Sequence, residues 1–138
     1  MCPATPPAAP KGRPTLLVSA NPDVVDLYVL ALRSARMGVI SVSAAAEAEQ
    51  LVRDKSVGAV IVDVANPSVD WGLCHRMLAL LEPAAPLIVL TGWIDSDARR
   101  MADDIGCAAF VAKPAPPERL LAVLQRARSG ERGIISLD

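Results

Sequence analysis

Short apolar stretches alternate with segments of helical periodicity along most of this chain of 138 residues. Five stretches are almost continuously apolar and rich in β-branched residues: Thr15–Ser19, Val39–Val42, Ala59–Val64, Leu87–Thr91 and Ala108–Ala112. Such runs are typical of strands that are buried on both faces of a parallel sheet. The pattern therefore predicts a parallel sheet of five strands.

A segment with the apolar period of a helix follows each predicted strand. The first opens with Asn21 and Pro22, a capping residue and a proline that suits the first helical turn. The later helices are predicted to begin near Ser43, Asp70 and Asp95, and after Pro116-Pro117. Strict alternation of strands and helices predicts a doubly wound α/β fold, with helices on both faces of one sheet.

The alternating pattern fills one predicted domain, residues 14–129. Residues 1–13 are rich in Pro and Ala and lack the apolar core of a secretory signal, so we expect a disordered leader there. Residues 130–138 are too few for a second domain, and we expect a tail. Because no apolar run reaches the roughly 18 residues of a membrane helix, no membrane association is predicted.

Charge and cysteine content narrow the function classes. The formal net charge is -1, and the basic residues are scattered, which argues against nucleic acid as a partner. The cysteines Cys2, Cys74 and Cys107 are odd in number and lack the spacing of a metal site. Reduced thiols, and hence a cytoplasmic protein, are the expectation.

Candidate chemistry lies at the carboxyl ends of the predicted strands, where open α/β sheets bind their ligands. Ser19 and Ala20 follow the first strand, Asp63 ends the third, Thr91 ends the fourth, and Lys113 follows the fifth. Asp63 interrupts an otherwise apolar run, and a carboxylate there is costly unless it is paired. An acid that only caps the next loop, and an ordinary surface lysine at Lys113, are the alternatives.

Several classes of enzyme lack their sequence signatures here. No phosphate-binding glycine loop follows the first strand, which argues against a nucleotide-binding domain. No G-x-S-x-G motif is present, and His75, the only histidine, is not placed to activate Ser19. We therefore predict a protein that is not an enzyme.

Taken together, the segments that carry these residues resemble the receiver domain of bacterial response regulators, the CheY-like family. The segments are LLVSANPDV, VIVDVANPSVD with Asp63, LIVLTG with Thr91, and GCAAFVAKPAPPERL with Lys113. The resemblance covers roughly Pro14 to Ser129 and implies the flavodoxin-like strand order 2-1-3-4-5. It also implies a role in two-component phosphorelay signalling, with a histidine kinase or another signalling protein as the partner.

The resemblance assigns roles to individual residues. In the family, the aspartate at the Asp63 position accepts a phosphoryl group, which would make this chain a phosphoprotein. The hydroxyl at the Thr91 position and the amine at the Lys113 position contact the phosphoryl oxygens. The aromatic residue at the Phe110 position rotates as a switch.

Ser19 and Ala20 depart from the family pattern, which normally has two adjacent acids at these positions to help bind Mg²⁺. A unit charge about 4 Å away contributes roughly 4 kcal/mol at an effective dielectric constant of about 20, and more toward a divalent ion. Because both charges are missing, Mg²⁺ is expected to bind weakly or not at all. No other cofactor is expected.

Two functional hypotheses follow. The first is an atypical receiver with impaired Mg²⁺-dependent phosphorylation at Asp63, and the alternative is a phosphorylation-independent protein-binding module of receiver fold. Without a metal, Asp63 and Lys113 are expected to contact each other directly, since the amine is the nearest positive charge that the pattern supplies. The fourth predicted helix, the fifth strand and the last helix form a candidate surface for a partner or a homodimer.

Trp71 and Trp93 fall in predicted loops at the same edge of the sheet. One interpretation is an apolar contact for a partner above Asp63. The other is ordinary loop packing.

Overall fold

All five predicted strands form one parallel sheet in the computed structural model, which describes residues 13–64, 67–82, 84–92, 100, 104, 106–113 and 115–130, without the side chains of residues 67–69. The strands are β1 (Thr15–Val18), β2 (Val39–Val42), β3 (Ala59–Val64), β4 (Leu87–Thr91) and β5 (Ala109–Ala112). Their order across the sheet is β2-β1-β3-β4-β5, which confirms the order that the resemblance implied.

Four helices have bounds within the described residues: α1 (Pro22–Ser34), α2 (Ala45–Arg53), α3 (Pro67–Leu80) and α4 (Pro117–Arg128). The last of these, α4, is the fifth of the predicted helices. The fourth predicted helix, expected from about Asp95, falls mostly outside the described residues. None of the described helices combines the length and the apolar character that crossing a membrane requires.

The start of α1 shows how local sequence sets an element. Asn21 has extended backbone angles, and its side chain accepts a hydrogen bond from the N–H of Asp23 at 3.0 Å, with Pro22 in the first turn. This is the predicted capping arrangement, and it satisfies an N–H group that the helix itself leaves without a partner. By contrast, α3 begins at Pro67 rather than near Asp70, because a proline is tolerated in the first helical turn.

Two apolar layers cover the sheet. One face packs against α2 and α3, and its largest buried members include Leu16, Val60, Val62, Met77 and Leu87. The other packs against α1 and α4, with Leu17, Leu32, Ile61, Leu120 and Leu124 buried. Since side chains alternate along β3, Asp63 belongs to the same face as Ile61, the one that α1 and α4 cover.

The thiols of Cys74 and Cys107 are buried in the layer beneath α3. Burial raises the pKa of Cys74 to about 12, so this thiol stays protonated at neutral pH. A protonated thiol is a poor nucleophile and a poor metal ligand, and Cys74 therefore acts as a small apolar residue in the core. Cys2 lies outside the described residues.

Candidate functional site

Strand register brings the predicted site residues to one edge of the sheet. Asp63 pairs with Leu90, and Val64 pairs with Thr91, so Asp63 and Thr91 end neighbouring strands at nearly the same level. Thr91 in turn pairs with Ala112, the residue before Lys113. The backbone N–H of Lys113 donates to the carbonyl oxygen of Thr91 at 2.7 Å, which fixes where the lysine leaves the sheet.

Asp63 and Lys113 contact each other directly, as predicted. Nζ of Lys113 donates to Oδ1 of Asp63 at 2.5 Å. The Asp63 side chain is only 2% exposed, whereas that of Lys113 is 24% exposed and still reaches solvent. The ion pair therefore neutralises a carboxylate that would otherwise be buried at high cost.

Ser19 contacts the other oxygen of the same carboxylate. Its hydroxyl donates to Oδ2 of Asp63 at 2.8 Å, and its oxygen accepts from the N–H of Asn21 at 3.1 Å. Because that N–H occupies an acceptor position on Oγ, the hydroxyl proton is directed at Asp63. Both carboxylate oxygens thus have a donor from within the fold, one of them charged and one neutral.

Thr91 ends the strand next to β3 and is completely buried. It pairs with Val64, the residue that follows Asp63, and its hydroxyl is 3.4 Å from the carbonyl oxygen of Val64. Contact of Thr91 with a phosphoryl group on Asp63 stays a prediction.

Tyr28 stabilises the loop that carries Lys113, and the sequence analysis did not identify this role. Its hydroxyl donates to the carbonyl oxygen of Ala115 at 2.7 Å, which connects α1 to the segment after β5. Burial raises the pKa of Tyr28, and the charge of Asp63 raises it further, while the hydrogen bond to Ala115 acts in the opposite direction. Tyr28 lies on the buried face of α1, and nothing in the sequence indicated its partner.

Phe110 points inward, into the apolar core. It is 7% exposed and belongs to the apolar layer that contains Val62, Val64 and Val89. Alanines flank it at Ala108, Ala109 and Ala112. Rotation of Phe110 as a switch stays a prediction.

The residues present do not fit a Mg²⁺ site. Mg²⁺ requires close, octahedral oxygen ligands. Among the described residues, no group of three or more His, Cys, Asp or Glu side chains could hold a metal ion. Asp63 is the single buried carboxylate at this edge in the described part of the chain, and Ser19 and Lys113 hold both of its oxygens. Asp23 is exposed, in the first turn of α1.

The structure tests the predicted loop position for Trp71 but not for Trp93. Trp71 lies within α3 and not in a loop, and it is 5% exposed within the apolar core. The prediction of a loop position was wrong because α3 starts earlier than expected, which turns the indole toward the sheet. A partner could reach Trp71 only if the ring left the core. Trp93 lies outside the described residues.

A shallow groove opens beside Lys113, with a volume of about 340 Å³. Asp23, Val24, Leu27 and Tyr28 of α1 line it together with Lys113. Leu27 is 44% exposed and Leu30 is 67% exposed, although both are large apolar residues of α1. Fewer apolar side chains of α1 are buried than its sequence pattern indicates, because the buried contacts come from Tyr28 and Leu32.

Comparisons with known proteins agree on one family. Residues 15–125 match the model of the response regulator receiver domain. The chain is 31% identical over 117 residues to the transcriptional regulatory protein GltR of Pseudomonas aeruginosa, covering 80% of this chain and 47% of that protein. It is 30% identical over 116 residues to the C4-dicarboxylate transport transcriptional regulatory protein DctD of Rhizobium meliloti, covering 84% of this chain and 25% of that protein.

The fold agrees with the same family. A CheY-like response regulator receiver domain protein from Methanospirillum hungatei superposes with a TM-score of 0.77 at 19% identity, over 85% of this chain and 94% of that one. The chain spans about half the length of GltR and a quarter of DctD, so it corresponds to one part of each.

Proposed function

The chain belongs to the response regulator receiver domain family of two-component systems, and we propose that it is an atypical member in which Mg²⁺-dependent phosphorylation of Asp63 is impaired. The observation that carries the proposal is the pairing of both Asp63 oxygens with Ser19 and Lys113. Acids normally present after the first strand are replaced by a hydroxyl and a methyl group.

Phosphoryl transfer depends on positioning and on neutralising the charge of the transferred group. In the proposed reaction a free oxygen of Asp63 attacks the phosphorus of the donor, and the bond from phosphorus to the leaving group breaks. Oδ1 must first lose its contact with Lys113, whose ammonium would then pair with a phosphoryl oxygen. Lys113 can make this change because its side chain is partly exposed.

Loss of the acids works against this reaction in two ways. The protein supplies one positive charge, Lys113, to a group that brings more than one negative charge. In addition, Lys113 must leave a buried carboxylate to which it is already bound, and this cost raises the barrier. Slow phosphorylation, or none, is the consequence that we propose.

Receiver domains work with histidine kinases, and we propose such a kinase or another signalling protein as the partner. The groove beside Lys113 is lined on the α1 side by Leu27, whose side chain is exposed, and Lys113 in turn contacts Asp63. A partner that docks on α1 would contact Lys113 through this groove. Self-association through β5, α4 and the fourth predicted helix stays a separate proposal, which light scattering tests.

The experiment that tests the proposal is a Mg²⁺ titration by calorimetry, followed by incubation with acetyl phosphate and intact mass measurement. We expect no saturable binding at sub-millimolar Mg²⁺ and little or no phosphoryl adduct. Asp63→Asn serves as the control, because any adduct at Asp63 disappears in it. Saturable sub-millimolar binding with a stoichiometric adduct that Asp63→Asn abolishes would contradict the proposal and indicate an ordinary receiver.

A further inference from the structure

A second pocket lies at the opposite end of the sheet from Asp63. It has a volume of about 330 Å³ and is lined by Arg13, Arg36, Met37, Gly38, Gln125 and Arg128, together with Ser129. Arg13 and Gly38 precede β1 and β2, and Arg128 ends α4, so the pocket opens where the parallel strands begin. The volume lies within the range of small-molecule sites.

The polar lining of this pocket is cationic. Within the described part of the chain seven residues line it, of which three are arginines and none is acidic. Arg13 forms an ion pair outside the pocket, with Nη1 at 2.7 Å from Oε1 of Glu82. Arg36 is exposed and contributes a further positive charge to the lining of the pocket.

Arg128 is the most enclosed of the three arginines. Its Nη2 donates to the carbonyl oxygen of Arg13 at 3.2 Å and to Oγ1 of Thr15 at 2.9 Å. These contacts hold the guanidinium plane at a fixed place in the wall. Burial lowers the pKa of Arg128, which shows that the charged form is partly desolvated there.

The remaining lining is apolar or neutral. Met37 supplies a flexible thioether side chain, and Gln125 supplies an amide on the α4 side. The planar guanidinium group of arginine can donate two hydrogen bonds to the oxygens of a phosphate, and it can also stack on a planar ring. The flexible side chain of methionine packs against apolar groups of irregular shape. The pocket thus combines groups for an anion with a surface for an apolar ring.

We propose that this pocket binds a small organic phosphate, with the phosphate between Arg36 and Arg128 and the organic part against Met37. A simpler role for these arginines is to complement the negative carboxyl ends of α1 and α4. That role predicts no ligand binding, so a binding experiment separates the two. The proposal does not depend on phosphorylation of Asp63.

The experiment is calorimetric titration of the full chain with three probes: AMP, inorganic phosphate and adenosine. We expect AMP to bind saturably and severalfold more tightly than phosphate, with no measurable binding of adenosine. Added salt should weaken AMP binding, since the mouth of the pocket is open to solvent.

Arg36→Gly is the informative variant, because it removes the side chain without straining the fold. Arg36 has a φ of 62°, a left-handed conformation that glycine adopts readily. Loss of a charge-assisted hydrogen bond should weaken AMP binding about tenfold. Arg119→Ala is the matched control, since it removes the same charge from the other end of α4 and should change affinity less than about twofold.

Three results would overturn the proposal: no saturable AMP binding, equal affinities for AMP and phosphate, or equal affinities of Arg36→Gly and wild type for AMP. AMP binding is measured without Mg²⁺ and without a phosphoryl donor, so a failure here is distinguishable from a failure of the proposed receiver chemistry.

Discussion

At the carboxyl edge of the sheet, a buried carboxylate has a donor on each oxygen from within the fold, whereas at the amino edge arginines surround an open pocket. Asp63 is held by Ser19 and Lys113. Arg128 donates to the neutral oxygens of Arg13 and Thr15, at the wall of a space large enough for a ligand. The first arrangement pairs opposite charges within the fold, and the second places several positive charges around an open space.

The difference shows that the two edges of one sheet can carry different arrangements of charge. In parallel α/β folds the carboxyl edge is the usual ligand site. Here, among the described residues, the buried carboxylate of Asp63 and the ammonium of Lys113 compensate each other. We therefore expect the largest effect of any substitution to be a gain in Mg²⁺ affinity when negative charge is added at this edge.

The double variant Ser19→Asp with Ala20→Asp should convert the carboxyl edge into a Mg²⁺ site. Two carboxylates beside Asp63 repel one another until a cation joins them, and each added charge attracts a divalent ion strongly. We expect Mg²⁺ affinity to rise at least about a hundredfold, and the melting temperature to rise on adding Mg²⁺. Calorimetry and thermal melts with and without Mg²⁺ measure both.

The matched control is Ser34→Asp with Ala35→Asp, which changes the same two residue types at the exposed end of α1. This control should leave Mg²⁺ affinity near the wild-type value. If both double variants gained the same Mg²⁺ affinity, the gain would come from the added negative charge wherever it is placed. The carboxyl edge would then have no special role in binding the ion.

Asp63→Ala should destabilise the fold, since it leaves the ammonium of Lys113 in a partly buried position without its partner. We expect a loss of about 2 kcal/mol in the free energy of unfolding, reduced from the fully buried case because Lys113 reaches solvent. Urea denaturation measures it. Asp26→Ala on the exposed side of α1 is the control, with an expected change below about 0.5 kcal/mol. An unchanged or increased stability of Asp63→Ala would mean that the ion pair contributes nothing.

The smallest expected effect is at the amino edge, where Arg13 and Glu82 form a surface ion pair. The hydrogen bond from Arg13 lowers the pKa of Glu82. A carboxyl whose pKa is lowered in the folded state stabilises above its unfolded pKa of about 4.3, and this contribution is lost as pH falls through the folded value. Glu82→Gln should therefore be less stable than wild type at neutral pH, and the difference should be smaller at an acid pH below about 4.3.

Urea denaturation at the two pH values checks this prediction. Glu47→Gln, an exposed carboxylate on α2, is the charge-matched control. A deficit of Glu82→Gln that persists unchanged in acid would show that the carboxylate charge is not responsible.

Much of the fold was predictable from the sequence because burial on both faces leaves a strong pattern. The bounds of β2, β3 and β4 agree with the predicted apolar runs, and those of β1 and β5 differ by one residue. The cap of α1 was also predictable, since Asn21-Pro22 is a local signal. The start of α3 was missed, because Pro67 precedes any periodic apolar residue of that helix.

The ion pair of the candidate site was predictable too. A carboxylate in a buried run needs a partner, and Lys113 was the one amine expected at the same edge. This reasoning required only the strand order and the cost of a buried charge. It could not predict Ser19 as the donor to Oδ2, because a serine after a strand has many local partners.

The sequence by itself determined the layered α/β fold and the pairing of Asp63 with Lys113, because both follow from apolar periodicity and buried charge. Only the tertiary structure decided that Ser19 directs its proton at Asp63, that Trp71 is in the core, and that Leu27 is exposed. It also brought Arg13, Arg36 and Arg128 around one pocket. These features depend on contacts between residues far apart in the chain, which no local pattern encodes.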